Sequence, residues 1–496
     1  MTRIPLLAGT RVVVVQAPED AVVLRPPPPG EGIDDVAAAV RDALRYPLQG
    51  PALEQLAPAG GSATIVIEPP ALPIPGSPFD PRKAAVEAVS RELERAGLPV
   101  ERQTLLVASG LARRPAPRDV ETLVTRELAR RFTGRLVVHD AEDPELVELS
   151  PGLRVNGALV RTDLVVVVSA AHTFLHGGPA VFLGAAGPEV LRAAAGAPSL
   201  LETAGSDGWR AALELERLLG TRVATMGVSL ALNHPRLGGA LQGYPYEEDA
   251  LERVARSPLR PLFGALPGAL RARVLQSLRS ELTASAVFAG PPSVAHAETL
   301  LRSIEARSTP LEGRLDALCV AVPRTTPYLP RERPNPLLAA HLGLAYALRL
   351  WRDAFPVADG GAVILLHRFH RRFAHPTQQP YRGFFAAARH GREPDELAEA
   401  ERNVAVDERA RELYRSGRSC HPLLPYADWA ACAPTLARLS TVLVAGCRDA
   451  VAARQLGFVP TRSVAAALAM VEGTLGRPPR VGFLVTPPFF PIQVRA

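Results

Sequence analysis

At 496 residues, 47% of them hydrophobic, the chain exceeds the size at which one core stops growing, so two domains are expected. A formal charge of +6, spread over 56 basic and 50 acidic residues, argues against a nucleic-acid partner, and no apolar run approaches the length of a bilayer span. With no apolar leader ahead of a small-residue cleavage site, a cytoplasmic protein without a membrane partner is expected.

Lys83 is the only lysine, so any chemistry that needs a lysine amine must use it or be absent. Cys319, Cys420, Cys432 and Cys447 lack CxxC spacing and sit among apolar neighbours, which predicts buried thiols rather than disulfides.

In chain order, 11–16 reads as a first strand and 26–29 as a proline-rich turn. A helix over 35–44 leads to a strand over 63–67, then a rigid loop ending in Asp80 as helix cap with Pro81 at the first helical position. Helix 82–96, strand 104–108, helix 119–132 and strand 135–139 continue the alternation. Leu164 to Val168, an apolar and mostly β-branched run, reads as a strand buried on both faces. Helix 208–219, strand 222–230 and a long proline-broken helical region over 247–285 close a first domain, 1–285. A second βα series over 286–496 has strands at 315–322, 362–366, 441–445 and 480–485, with helices at 336–351, 393–414, 426–439, 448–456 and 463–475. The pattern predicts an α/β protein of two domains, each a mostly parallel sheet flanked by helices, with a ligand cleft between them.

The loop after Val168 is the first place to look for a site, because open α/β sheets bind ligands beyond the carboxyl ends of their strands. It carries His172 and His176, then Gly177 and Gly178, with Pro188 opening a helix. The histidines read as a metal or acid/base pair, or as groups hydrogen bonded to loop backbone. The glycines read as a phosphate cradle or as a tight turn with positive φ. The densest basic cluster runs from His367 to His375. It would hold an anion through Arg368, Arg371 and Arg372 or a metal through His367, His370 and His375, unless it is a solvated loop. Arg113 and Arg114 invite a carboxylate, or are ordinary surface arginines.

The order of motifs resembles the nickel-pincer-nucleotide lactate racemase family. The carriers are LRYPLQGPALEQL at 44–56, IEPPALPIP at 67–75, ASGLARRP at 108–115, TDLVVVVSAAHTFLHGG at 162–178, the strand and glycine turn from 223, and the strand starts at Asp316 and Asp359. The resemblance implies the two-domain fold and a reaction in which paired histidines serve as acid and base. In that reaction the cofactor is tethered through a lysine, and a further histidine binds nickel.

Set against that pattern, the first proton-transfer histidine is replaced by Ala112 or Arg113, and the aspartate and arginine of the second motif fall on Pro69 and Leu72. The tethering lysine would stand near Phe182, and the polar helix that reaches substrate matches Leu338 and His341. His172 stands where the second proton-transfer histidine is expected. A two-base racemase needs both bases.

The expectation is therefore a racemase-like protein that has lost pincer chemistry and binds a small anionic ligand, such as a hydroxy acid, or a partner in the cleft. His172 is the candidate catalytic group and His176 the candidate metal ligand. Arg113, Arg114, His341 and Arg368 would bind substrate, and Gly177 and Gly178 a cofactor. The alternatives are an active isomerase on 2-hydroxy acids using His172 with His176 or His341, and an interaction subunit using the Arg/Glu-rich helices over 393–418.

Overall fold

A run of aliphatic residues with no polar face is stable only inside a sheet that is covered on both sides. In the computed structural model Leu164–Ala170 is such a strand, with all seven residues buried. It lies parallel to Ala63–Ile67 on one side and to Ala224–Leu232 on the other. The structure describes residues 2–69, 80–120, 122–193, 196–324, 334–371, 373 and 376–495.

The first sheet is completed by Gln103–Val107 and Arg135–Val138 beyond Ala63–Ile67, and by the antiparallel Ala284–Gly290 beyond Ala224–Leu232. Successive strands move outward in one direction from Ala63–Ile67 and in the other from Leu164–Ala170. Between those two strands the winding reverses, so the loops leaving them diverge to opposite faces and open a crevice at their carboxyl ends.

The second sheet is parallel throughout, in the order Val459–Thr461, Leu439–Ala445, Val357–Leu366, Leu315–Ala321, Val481–Leu484 and Val22–Leu24. A division at 285/286 does not describe these sheets. Val22–Leu24 pairs with Val481–Leu484, and Ala284–Gly290 crosses the boundary within the first sheet. The amino-terminal hairpin, Thr2–Ala8 with Arg11–Ala17, joins the apolar cluster of Ala317, Cys319, Ile364 and Phe483. Burial and open strand edges, which sequence proximity does not govern, decide these placements.

Five expected helices are broken, among them 393–414, which divides into Pro394–Ala405 and Glu408–Arg415, and 426–439, which divides into Leu424–Ala430 and Ala433–Leu436. The 119–132 segment divides into Pro117–Val120 and Arg126–Arg131, the second capped by Thr125, whose hydroxyl accepts from the Leu128 amide. The 247–285 region is three helices, Glu248–Arg256, Leu259–Ala265 and Gly268–Ser277, separated at Pro258 and Pro267 and ending before the strand Ala284–Gly290. The 336–351 helix is regular only over Pro336–Ala340; it widens over His341–Tyr346 and tightens over Ala347–Arg349. The cap at Asp80 and Pro81 forms as expected, the carboxylate accepting from the Arg82 amide. All four cysteines are free thiols, three of them buried.

Candidate functional site

The crevice of the first sheet is roofed by the segments 336–349 and 424–431 of the second, enclosing a cavity of about 270 Å³. The two halves are joined around it. The Leu200 amide donates to the Arg349 carbonyl at 2.7 Å, the His421 amide to Leu111 at 3.0 Å, and the Tyr414 hydroxyl to Gly110 at 2.9 Å. The largest apolar cluster spans the junction, with Ala171, Phe174 and Leu201 packed among Leu337, Tyr346 and Trp351.

Most of the wall is apolar, and a few polar groups converge on it. Glu68 follows directly on the strand Ala63–Ile67; burial pushes its carboxyl up to about 7, against the opposing pull of the Arg82 guanidinium. Burial, with a smaller contribution from His341, lowers His176 to about 4, so it is neutral at physiological pH. On the opposite wall the Tyr381 hydroxyl donates to Asp428 Oδ2 at 2.6 Å, and His341 Nδ1 lies 3.4 Å from Asp428 Oδ1.

Arg349, 2% exposed, also lines the cavity. Its Nη1 donates to the Ala431 carbonyl at 3.2 Å, while Nε and Nη2 have no partner. Burial lowers its guanidinium to about 10, which leaves it charged at neutral pH.

The residues singled out in the sequence divide. His176 and His341 line the cavity. His172 is buried and set back from the wall; both ring nitrogens lack partners, and burial and then the nearby Arg307 hold it well below the usual imidazole range. Among the described residues no three His, Cys, Asp or Glu side chains assemble to hold a metal, and the His176 ring lies 6.2 Å from that of Tyr346.

Gly177 and Gly178 do have positive φ, +115° and +51°, but they do not cradle a ligand. A Cβ on Gly178 would fall 2.3 Å from the His296 Cβ, one on Gly177 would fall 2.8 Å from His296 Nδ1, and the Gly178 amide donates to Ser169 Oγ. The space that a phosphate would need is filled by the helix Pro292–Arg307.

Arg113 and Arg114 are structural. Arg113 reaches Asp119 and the Gly417 carbonyl, and Arg114 reaches the carbonyls of Val138, His139 and Arg415 and the Asp140 carboxylate. Arg368 is exposed at the end of the strand Val357–Leu366, near Arg11, Arg271 and Arg448 and away from the cavity wall. Leu72, Arg372 and His375 lie outside the described residues.

Residues 9–193 match the family model of the lactate racemase N-terminal domain. That stretch is similar to lactate racemase, and the match does not extend to the rest of the chain. The fold of this racemase-like chain is similar to that of the lactate racemase apoprotein from Thermoanaerobacterium thermosaccharolyticum, with a TM-score of 0.61 at 14% identity over 100% of both chains. It is also similar to a protein from Thermotoga maritima, with a TM-score of 0.50 at 13% identity over 94% of this chain and 100% of that one. At these identities the likeness concerns the fold. No curated protein matches the chain.

The pincer nucleotide that the family resemblance implies does not fit the racemase-like chain. Phe182, at the position expected for its lysine tether, is fully buried among Val181, Leu183 and Leu215. Lys83 lies on the helix Pro81–Arg95 and is not on the cavity wall. At the position of the first proton-transfer histidine the wall presents Ala112, while Arg113 is engaged elsewhere. Glu68, Arg349 and Asp428 carry no motif that marks them in the sequence. Glu68 was visible as a carboxyl beside a strand end; the other two depend on how distant segments close over the crevice.

Proposed function

We propose that this racemase-like chain binds a small carboxylate in the cleft between its two sheets, with Arg349 as the countercharge, and does not run nickel-pincer racemisation. The observation that carries the reading is the Arg349 guanidinium, buried on the cavity wall with two unpartnered nitrogens. A buried cation is costly unless it is paired, and a carboxylate matches the planar fork of arginine. The surrounding apolar wall suits a short carbon chain.

Calorimetric titration with lactate and with lactamide, its neutral counterpart, tests this. Lactate binds the wild type, lactamide does not, and Arg349→Met abolishes lactate binding; equal binding of the two compounds would overturn the reading.

One observation favours a second reading, an isomerase acting on a 2-hydroxy acid. Glu68 titrates at about 7, so both its forms are available at neutral pH, and His341 on the opposite wall has Asp428 and Tyr381 behind it. On this reading Glu68 and His341 exchange a proton at the carbon next to the carboxylate. Exchange of the lactate α-hydrogen in deuterated water, lost in Glu68→Gln, would support it. Absence of exchange in the wild type would dismiss it and leave the binding reading intact.

A further inference from the structure

Behind the cavity wall the helix Pro292–Arg307 turns His296, Thr299, Ser303 and Arg307 to one side, at spacings of three and four residues. All four are buried, and the helix packs on Ala224–Leu232 and Leu164–Ala170. Ser229, His234, His172 and Thr173, in or just beyond those strands, are buried too; Arg307 acts on both imidazoles, and the Thr299 hydroxyl donates to the Ser229 carbonyl. Both ring nitrogens of His172, the hydroxyls of Thr173, Ser229 and Ser303, and Nε of Arg307 have no hydrogen-bond partner. Buried polar groups are ordinarily satisfied, so such a concentration is suited to holding a polar ligand.

The charge balance identifies its sign. Arg307, 7% exposed, pairs with no carboxylate among the described residues. The titratable groups facing it are the phenols of Tyr246 and Tyr346 and the imidazoles of His172 and His234. Burial holds the phenols protonated and the imidazoles neutral at physiological pH, so none of the four offsets the guanidinium. Arg82, the other cation near His172, already has Asp80.

We propose that Arg307 is the cation of a recessed site for a small monovalent anion, a halide or a simple carboxylate, with the His172 imidazole and the Thr173, Ser229 and Ser303 hydroxyls as neutral donors. A single uncompensated positive charge matches a single negative one, and a phosphate dianion would exceed it. The site uses a different arginine from the cleft and does not depend on the reading of the cleft.

The test uses the full chain in sodium isethionate, with chloride or formate replacing isethionate at constant ionic strength. The thermal midpoint of the wild type rises saturably with chloride, formate or both, which distinguishes the two sources. Arg349→Met, which silences the cleft, keeps a saturable response, and the double variant Arg349→Met/Arg307→Met loses it. Arg307→Met alone is at least as stable as the wild type in isethionate, because the unpaired charge is gone. The fluorescence of Trp209, whose ring lies 5.9 Å from that of His296, gives a local readout of the same titration. Excess chloride linewidth in NMR, displaced by formate, reports occupancy without any variant. A wild type that shows neither a midpoint shift nor excess linewidth, or an Arg349→Met/Arg307→Met double variant that responds as Arg349→Met does, would overturn the proposal.

Discussion

Gly178 stands against His296 so closely that a Cβ on the glycine would lie 2.3 Å from the histidine's own Cβ, with the Pro292 carbonyl 2.7 Å away. The glycine turn is therefore a packing device that admits the helix Pro292–Arg307. Gly178→Ala combines a steric clash with a positive φ that alanine disfavours, and it is expected to cost about 3 kcal/mol. Urea unfolding in the absence of any ligand checks this; a phosphate cradle would instead leave the unliganded stability nearly unchanged.

Glu68 gives a pH signature of its own. Its carboxyl titrates at about 7 when folded, against 4.5 as the ordinary value, so between these values the folded chain holds the extra proton. Its contribution to stability is therefore present below 4.5 and lost as the pH rises to 7. Glu68→Gln should match the wild type below pH 4.5 and exceed it by about 2 kcal/mol above pH 7, after allowance for partial screening. Thermal midpoints of both proteins on either side of this window decide it.

The buried histidines act in the opposite direction. Burial lowers His139, His176, His296 and His367 to about 4 from an ordinary 6.5. Between those values the unfolded chain binds more protons, so stability is full above 6.5 and falls as the pH drops toward 4. At His139 burial outweighs the Nε2 bond donated to the Ala186 carbonyl, which by itself would favour the charged ring, and the Asn156 amide donates to an Nδ1 that must be unprotonated to accept. The thermal midpoint should be level above pH 6.5 and fall steeply below it, with uptake of several protons on unfolding near pH 5. His139→Asn should flatten part of that fall.

Arg114 links the first sheet to the helix Glu408–Arg415 through carbonyls on both sides. Arg114→Ala should lower stability by about 2 kcal/mol, and Arg114→Lys should not restore it, because a point charge cannot span those acceptors. Lactate titration of Arg114→Ala should match the wild type; a large loss of affinity would return Arg114 to the ligand site.

These relationships were unequally visible in the sequence. The strand Ala63–Ile67, the cap at Asp80 and Pro81, and the buried strand from Leu164 follow from local pattern, because residue type and short-range periodicity govern them. The pairing of Val22–Leu24 with Val481–Leu484 has no local signal; it joins segments at opposite ends of the chain. His176 and His341 were found as loop and helix histidines and do reach the cavity, whereas Arg113 and Arg114 were chosen for charge alone and are consumed by carbonyls. Arg349 and Arg307 were missed because an arginine's importance here lies in what it lacks, a partner, and that emerges only once the fold has closed around it.

We propose for this racemase-like fold a carboxylate cleft without the means to hold the pincer cofactor. Intact mass and nickel content of the full chain, produced together with enzymes that assemble that cofactor, test it most directly. The expected result is the unmodified mass of the polypeptide and no stoichiometric nickel. One nickel per chain with a mass increase mapped to Lys83 would contradict it.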